Sequence, residues 1–182
     1  TGGSSSARNL DRQAISSYTF NKGKWYAEIR YISGNLFAGF GPWQIMVNPE
    51  SNNNKYVYVY HANGRRYIRT GSSESTAVHG ASFTAGDIIG VFIDMDAPTP
   101  LAYFSKNGQW ADGSGANNQA NPTVATELGG NFFTEDLDRN LVGYGGFLFS
   151  STDGGTSTTA QANFGQDSTF SGGTTAGGFK DS

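Results

Sequence analysis

Short runs of β-branched and aromatic residues, each closed by a turn-forming cluster, constrain this chain to antiparallel sheet. The plainest case is "KYVYVYHANGRRYIR", Lys55 to Arg69. Both halves carry side chains that suit a pleated, half-buried surface. Asn63-Gly64 between them supplies residues that tolerate the positive φ of a hairpin turn. "KWYAEIRYI" (Lys24 to Ile32) alternates with period two, placing Trp25, Ala27, Ile29 and Tyr31 on one face and Glu28 and Arg30 on a wetter one. "LFAGFG" follows the short turn "SGN", and "DIIGVFID" and "LAYFS" precede a second hairpin signal at Asn107-Gly108. "YGGFLFSS" and "TAQANFG" are the last clear strands. Roughly nine or ten strands returning every ~8 to 15 residues predict an all-β sandwich of two antiparallel sheets.

Composition agrees. Glycine takes 26 of the 182 positions, about twice the usual ~7%. Because glycine weakens a helix interior by about 1 kcal/mol, that excess favours turns over helices. The best helical candidate, "TEDLDRNL" (Thr134 to Leu141), is about two turns at most. The 13 Phe, 9 Tyr and 3 Trp predict an aromatic core. Trp25, Phe92, Phe104 and Phe164, each in an alternating or apolar run, are its expected anchors. Residues 1–12, opening on "TGGSSSA", read as linker or lead, and 13–182 as one domain. The long polar stretch Ala111 to Gly143 reads as a loop, and long loops in compact domains are often functional.

Several function classes lose support. A net charge of −3 with no basic run gives no nucleic-acid footprint. No apolar run reaches the length of a membrane-spanning helix, and nothing resembles a signal peptide. With no cysteine and two histidines, His61 and His79, neither a thiolate metal site nor a His-dependent triad is expected. Asp136, Asp138 and Asn140 lack the glycine turn and distal glutamate of an EF-hand loop. No metal or other cofactor is therefore expected.

Asp94 and Asp96 are two apart at the end of a clear strand, the pattern a sandwich-fold glycosidase could use. Such enzymes place two carboxyl groups about 5 to 9.5 Å apart. The competing reading makes Asp94 a strand end and Asp96 the opener of the turn "DAPTP", bonded to backbone. The second reading is preferred, since no denser acidic cluster accompanies the pair. Tyr56, Tyr58 and Tyr60 likewise admit two readings. They could stack on sugars from an open sheet face, or fill the space between the sheets while Val57 and Val59 point away; the latter is preferred.

The stretch "GDIIGVFIDMDAPTPLAYFSKNGQW" resembles the central hairpin of the SPRY (B30.2-like) domain. "GKWYAEI", "FAGFG", "VHGASFTAGD", "ANFGQDSTF" and "GFKDS" fall in that family's order, from about Gly23 to Lys180. The flavour ending in ANFGQ and GFK is similar to SPRY-like domains of tailed-phage proteins. The resemblance implies a two-sheet, concanavalin-like jelly-roll sandwich whose loops bind without chemistry. It implies a recognition or structural domain of a virion protein (fibre, tail or head decoration). Its partner would be a host-surface glycan or protein, or another virion subunit. Alternatives are an intracellular SPRY adaptor that grips a peptide, and a glycan hydrolase of the same architecture. Ala111 to Gly143 is longer than the family pattern between "KNG" and the penultimate strand.

Counting strands up and down predicts where loops gather. The count places the turns at Ser33-Gly34, His61–Gly64 and Ala97–Pro100 at one end. Asn48–Asn54, Thr70–Ala85 and the connection at Lys106-Asn107 fall at the other. Asn52, Asn53, Glu74, His79, Trp110 and Asp112 are the candidate partner contacts at that second end. Trp110 leads them, because interface energy concentrates in Trp, Tyr and Arg. The Tyr56, Tyr58, Tyr60 face is the alternative contact.

Overall fold

Period-two side chains mark several of the strands, and the computed structural model, which describes residues 12–42, 55–70, 73–127, 145–151 and 157–165, forms thirteen strands in all. These are β1 (Arg12–Ile15), β2 (Lys24–Ser33), β3 (Leu36–Pro42), β4 (Lys55–Tyr60), β5 (Arg66–Thr70), β6 (Ser73–Ala77) and β7 (Ile88–Asp94). They continue as β8 (Leu101–Lys106), β9 (Gln109–Ala111), β10 (Asn117–Gln119), β11 (Thr126–Glu127), β12 (Gly145–Ser151) and β13 (Thr159–Asn163). One sheet has the order β1-β12-β3-β4-β5-β6. The other runs β10-β9-β8-β7-β2-β13, with β11 paired to β8. Every pairing is antiparallel, and the described residues contain no helix. The architecture is the all-β, two-sheet jelly-roll sandwich expected. Thr134 to Leu141 lies outside the described residues.

The core between the sheets takes Ala27, Ile29 and Tyr31 from β2, Ile89, Val91 and Ile93 from β7, and Ala102 and Phe104 from β8. Leu36, Ala38 and Phe40 of β3 and Val57 and Val59 of β4 meet them from the first sheet. Truncating a buried phenylalanine costs about 3–5 kcal/mol. Phe104→Ala should therefore lower the unfolding midpoint in urea, whereas an unchanged midpoint would refute this register.

Two of the four expected anchors behave differently. Trp25 is 41% exposed: it stands second in β2, at the strand's exposed start, and stacks on Phe20. Phe92 is buried, but on the outer face of its sheet, against Tyr103 and Trp110. Phe104 is a core residue, and Phe164 packs against the core partly buried. The preferred tyrosine reading is also reversed. Val57 and Val59 point into the core, while Tyr56 and Tyr58 lie outside it in a second buried cluster with Phe37, Tyr67 and Leu148. Nor is that face open, since Tyr56 and Tyr58 are both buried. The side chain of Tyr60 lies outside the described set.

The assignment of loops to ends is overturned by one strand. β6, "SESTA", pairs with β5 from Arg66↔Ala77 to Thr70↔Ser73 and is exposed along its length. An edge strand held by backbone bonds needs no apolar alternation, so its sequence carries no periodic signal. It adds one traverse of the sandwich and swaps the ends of everything after it. At one end the turn 33–35 meets the connections 61–65, 78–87 and 106–108: Gly86 N–H donates to Tyr31 O at 2.8 Å, Phe83 N–H to His61 O at 2.8 Å, and Asn107 N–H to Ile88 O at 2.8 Å. At the other end the turn Ala97–Pro100 joins the lead into β2, where Met95 N–H donates to Gly23 O at 2.9 Å. Lys106-Asn107 and Ser33-Gly34 therefore share an end, and Ala97–Pro100 does not. The stretch from Ala111 is not bare loop either, since β10 and β11 fold back on β9 and β8.

Candidate functional site

Polar chemistry concentrates in three places. The first is the turn after β7. Asp94 is paired with Lys24 across β2 at 3.2 Å, and its Oδ1 accepts the Asp96 N–H at 3.0 Å. Asp96 Oδ1 accepts the Gly23 N–H at 2.8 Å. Both carboxylates tie the turn to β2, as the preferred sequence reading holds. Asp94 and Glu28 share the outer face of their sheet, but Asp94 pairs with Lys24 and Glu28 with Gly90. That register sets them about 13 Å apart, at ~3.3 Å per residue. The separation exceeds the ~5–9.5 Å of a glycosidase pair.

The second place is that same outer face. Tyr26 donates its hydroxyl to Glu28 Oε1 at 3.0 Å, and Asn163 Nδ2 reaches Glu28 Oε2 at 3.5 Å. Burial and the adjacent Glu28 push the Tyr26 pKa far up. Gly90, opposite Glu28, is required here, since the Ser105 hydroxyl and Tyr26 ring fill the space a Cβ would take. Trp110 closes the cluster, its ring 6.2 Å from Tyr26 and 6.3 Å from Phe92. Sequence reasoning placed Glu28 on a wet face. Only the pairing of β13 with β2 brings Asn163 over it and buries it.

The third place surrounds His79. Its backbone O accepts the Gly113 N–H at 2.9 Å, and the flanking Gly80 N–H donates to Gly64 O at 3.0 Å. Asn117 Oδ1 accepts the Ala81 N–H at 2.8 Å. The imidazole is 1% exposed, and neither ring nitrogen finds a hydrogen-bond partner among the described residues. Phe104 meets the ring edge to face at 5.4 Å. A cavity of about 10 Å³, lined by His79, Val59, Phe83, Ile89 and Phe104, lies beside it. Burial and the Arg66 charge lower the His79 pKa to about 4, against a smaller opposing pull from Asp112. Asp112 is itself a loop organiser: the Ser114 N–H and hydroxyl, then the Ala116 N–H, hold its carboxyl at about 2.

The four expected contacts among the described residues, Glu74, His79, Trp110 and Asp112, are not all brought together. His79 and Asp112 are neighbours at the Gly34 end. Glu74 lies toward the opposite end of β6, across from Arg69, where its Oε2 accepts the Tyr58 hydroxyl. Trp110 and His79 are buried, so neither offers its side chain to a partner as the protein stands. Asn52 and Asn53 lie outside the described residues. No group of three or more His, Cys, Asp or Glu among the described residues could hold a metal ion. No described helix is long and apolar enough to cross a membrane.

The antiparallel two-sheet sandwich is matched among solved structures by a SPRY domain. The chain is similar to the crystal structure of the SPRY domain of human HERC1, with a TM-score of 0.55 and 15% identity, covering 85% of this chain and 83% of that one. No family model and no curated protein sequence matches the chain.

Proposed function

We propose that the chain is a non-catalytic recognition domain of a virion protein, in a fibre, tail or head decoration, that presents its end loops to a host-surface glycan or protein. The observation that carries this reading is where the carboxylates are spent. Asp94, Asp96, Asp112, Glu28 and Glu74 all accept structural hydrogen bonds. Asp87 binds the Thr84 N–H at 2.7 Å and Lys106 at 3.1 Å. The bonds of Asp87, Asp94, Asp96 and Asp112 stiffen turns on a rigid scaffold, which is what loop-borne recognition requires. Glu74 and Asp112 remain as contacts, toward opposite ends of the sandwich, while His79 supports the Asp112 loop through the Gly113 N–H.

Asp94→Asn should leave binding intact and change only stability, by no more than about 1 kcal/mol for a partly exposed pair. Release of reducing ends from a polysaccharide panel, lost in Asp94→Asn, would replace this reading with a hydrolase. Placement in a virion is tested by immunogold labelling of particles made by the parent genome. The adaptor alternative has one observation in its favour: β6 leaves an exposed edge to which an extended peptide could add as a strand.

A further inference from the structure

The loop Ser16–Gly23 is anchored across the end of the sandwich. Phe20 N–H donates to Gly145 O at 2.9 Å, and Gly145 N–H returns the bond to Phe20 O at 3.0 Å. At its close, Gly23 adopts φ +86°, and a Cβ there would stand 3.3 Å from Trp25 Nε1. This turn folds the Trp25 indole back over its own loop. The indole N–H donates to Lys22 O at 2.7 Å. One ring face lies on Phe20, with centroids 4.6 Å apart and planes 14° from parallel. Trp25 nevertheless stays 41% exposed, and Tyr18 on the same loop is 63% exposed.

A hydrogen-bonded indole with one face packed and the other in water is already held in a single orientation. Binding to the free face therefore loses little side-chain entropy. The groups around it carry both donors and acceptors. Lys22, whose backbone O takes the indole N–H, is exposed on the same loop, and Asp96, whose Oδ1 accepts the Gly23 N–H at 2.8 Å, is exposed in the adjoining turn. The formal charges of Lys22 and Asp96 cancel. A cation, which would otherwise favour an indole face, gains nothing from that rim, and neither does an anion. A ligand with an apolar C–H face, edged by hydroxyls that both donate and accept, matches all of these features.

We infer that Trp25 is the stacking platform for one pyranose ring of a neutral saccharide, with Asp96 and Lys22 meeting its hydroxyls; this rests on the recognition reading above and names its ligand class and its surface. The test uses the whole chain against an array of neutral oligosaccharides, followed by titration of the strongest hit into ¹⁵N-labelled protein. The chain has three tryptophans, and a Trp25→Phe spectrum assigns the Trp25 indole signal. The expected result is a shift of that signal alone among the three on binding. With it should come at least a tenfold loss of affinity in Trp25→Ala, at unchanged circular dichroism. A glycan that binds without moving the Trp25 signal overturns the platform and leaves the recognition reading standing. An array with no neutral hit overturns the saccharide assignment, and so does a peptide or charged glycan as the only ligand to move the signal.

Discussion

Trp110→Ala should lower stability by about 3–5 kcal/mol, the cost of removing a large buried aromatic side chain. For a domain of this length the thermal midpoint should fall by roughly 10 °C. The ring is 1% exposed and packs against Tyr26 and Phe92 on the outer face of its sheet. The cavity left would lie beside the buried Tyr26–Glu28 hydrogen bond, where water entering would compete for the carboxylate. Thermal unfolding followed by near-ultraviolet circular dichroism reads both effects. A variant with an unchanged midpoint but lost partner binding would return Trp110 to the role of surface contact. The expected result is the opposite, with any loss of binding tracking the loss of folded protein.

Acidification should expose His79. Its imidazole is neutral in the folded protein, with a pKa lowered to about 4, against an ordinary 6.5 in the unfolded chain. Above pH 6.5 neither state binds the proton and His79 makes no difference. As pH falls from 6.5 toward 4 the unfolded state takes up a proton that the folded state refuses, so stability is lost. Below 4 the loss levels off at about 3 kcal/mol, since each tenfold difference in proton affinity between the two states is worth ~1.36 kcal/mol. Arg66 opposes the imidazolium, Asp112 favours it, and Phe104 offers it only a ring. Urea unfolding of the wild type and His79→Leu at pH 7 and pH 4 isolates this contribution from the carboxylates common to both. The wild type should lose about 3 kcal/mol more than the variant across that range. Parallel losses would mean that the imidazole is hydrated in the folded protein.

Much of the architecture was legible because alternation is a local property. "KWYAEIRYI", "KYVYVY" and "DIIGVFID" each carry enough apolar residues at period two to mark a strand, and each is one. Asn107-Gly108 is legible for the same reason. Both residues take positive φ, 49° and 78°, and they join Lys106 to Gln109 as a two-residue hairpin. "SESTA" was illegible because an exposed edge strand is held by backbone bonds that any residues but proline supply. Missing that one strand reversed the end assigned to each later connection, and with it the surface on which contacts were sought.

By itself, then, the sequence determined the strand-forming segments, their tight turns and the bond from the Asp96 N–H to Asp94 that opens one of them, since all three depend on residues within a few positions of one another. The tertiary structure alone decided which aromatic side chains are free. Trp110 looks available in sequence and is buried, while Trp25 looks like a core residue and is exposed. Period two says that alternate residues share a face. It cannot say which face is covered, because that depends on segments far along the chain: β13 sets Asn163 on Glu28 across 135 positions, and the pairing of Phe20 with Gly145 fixes the loop on which Trp25 rests.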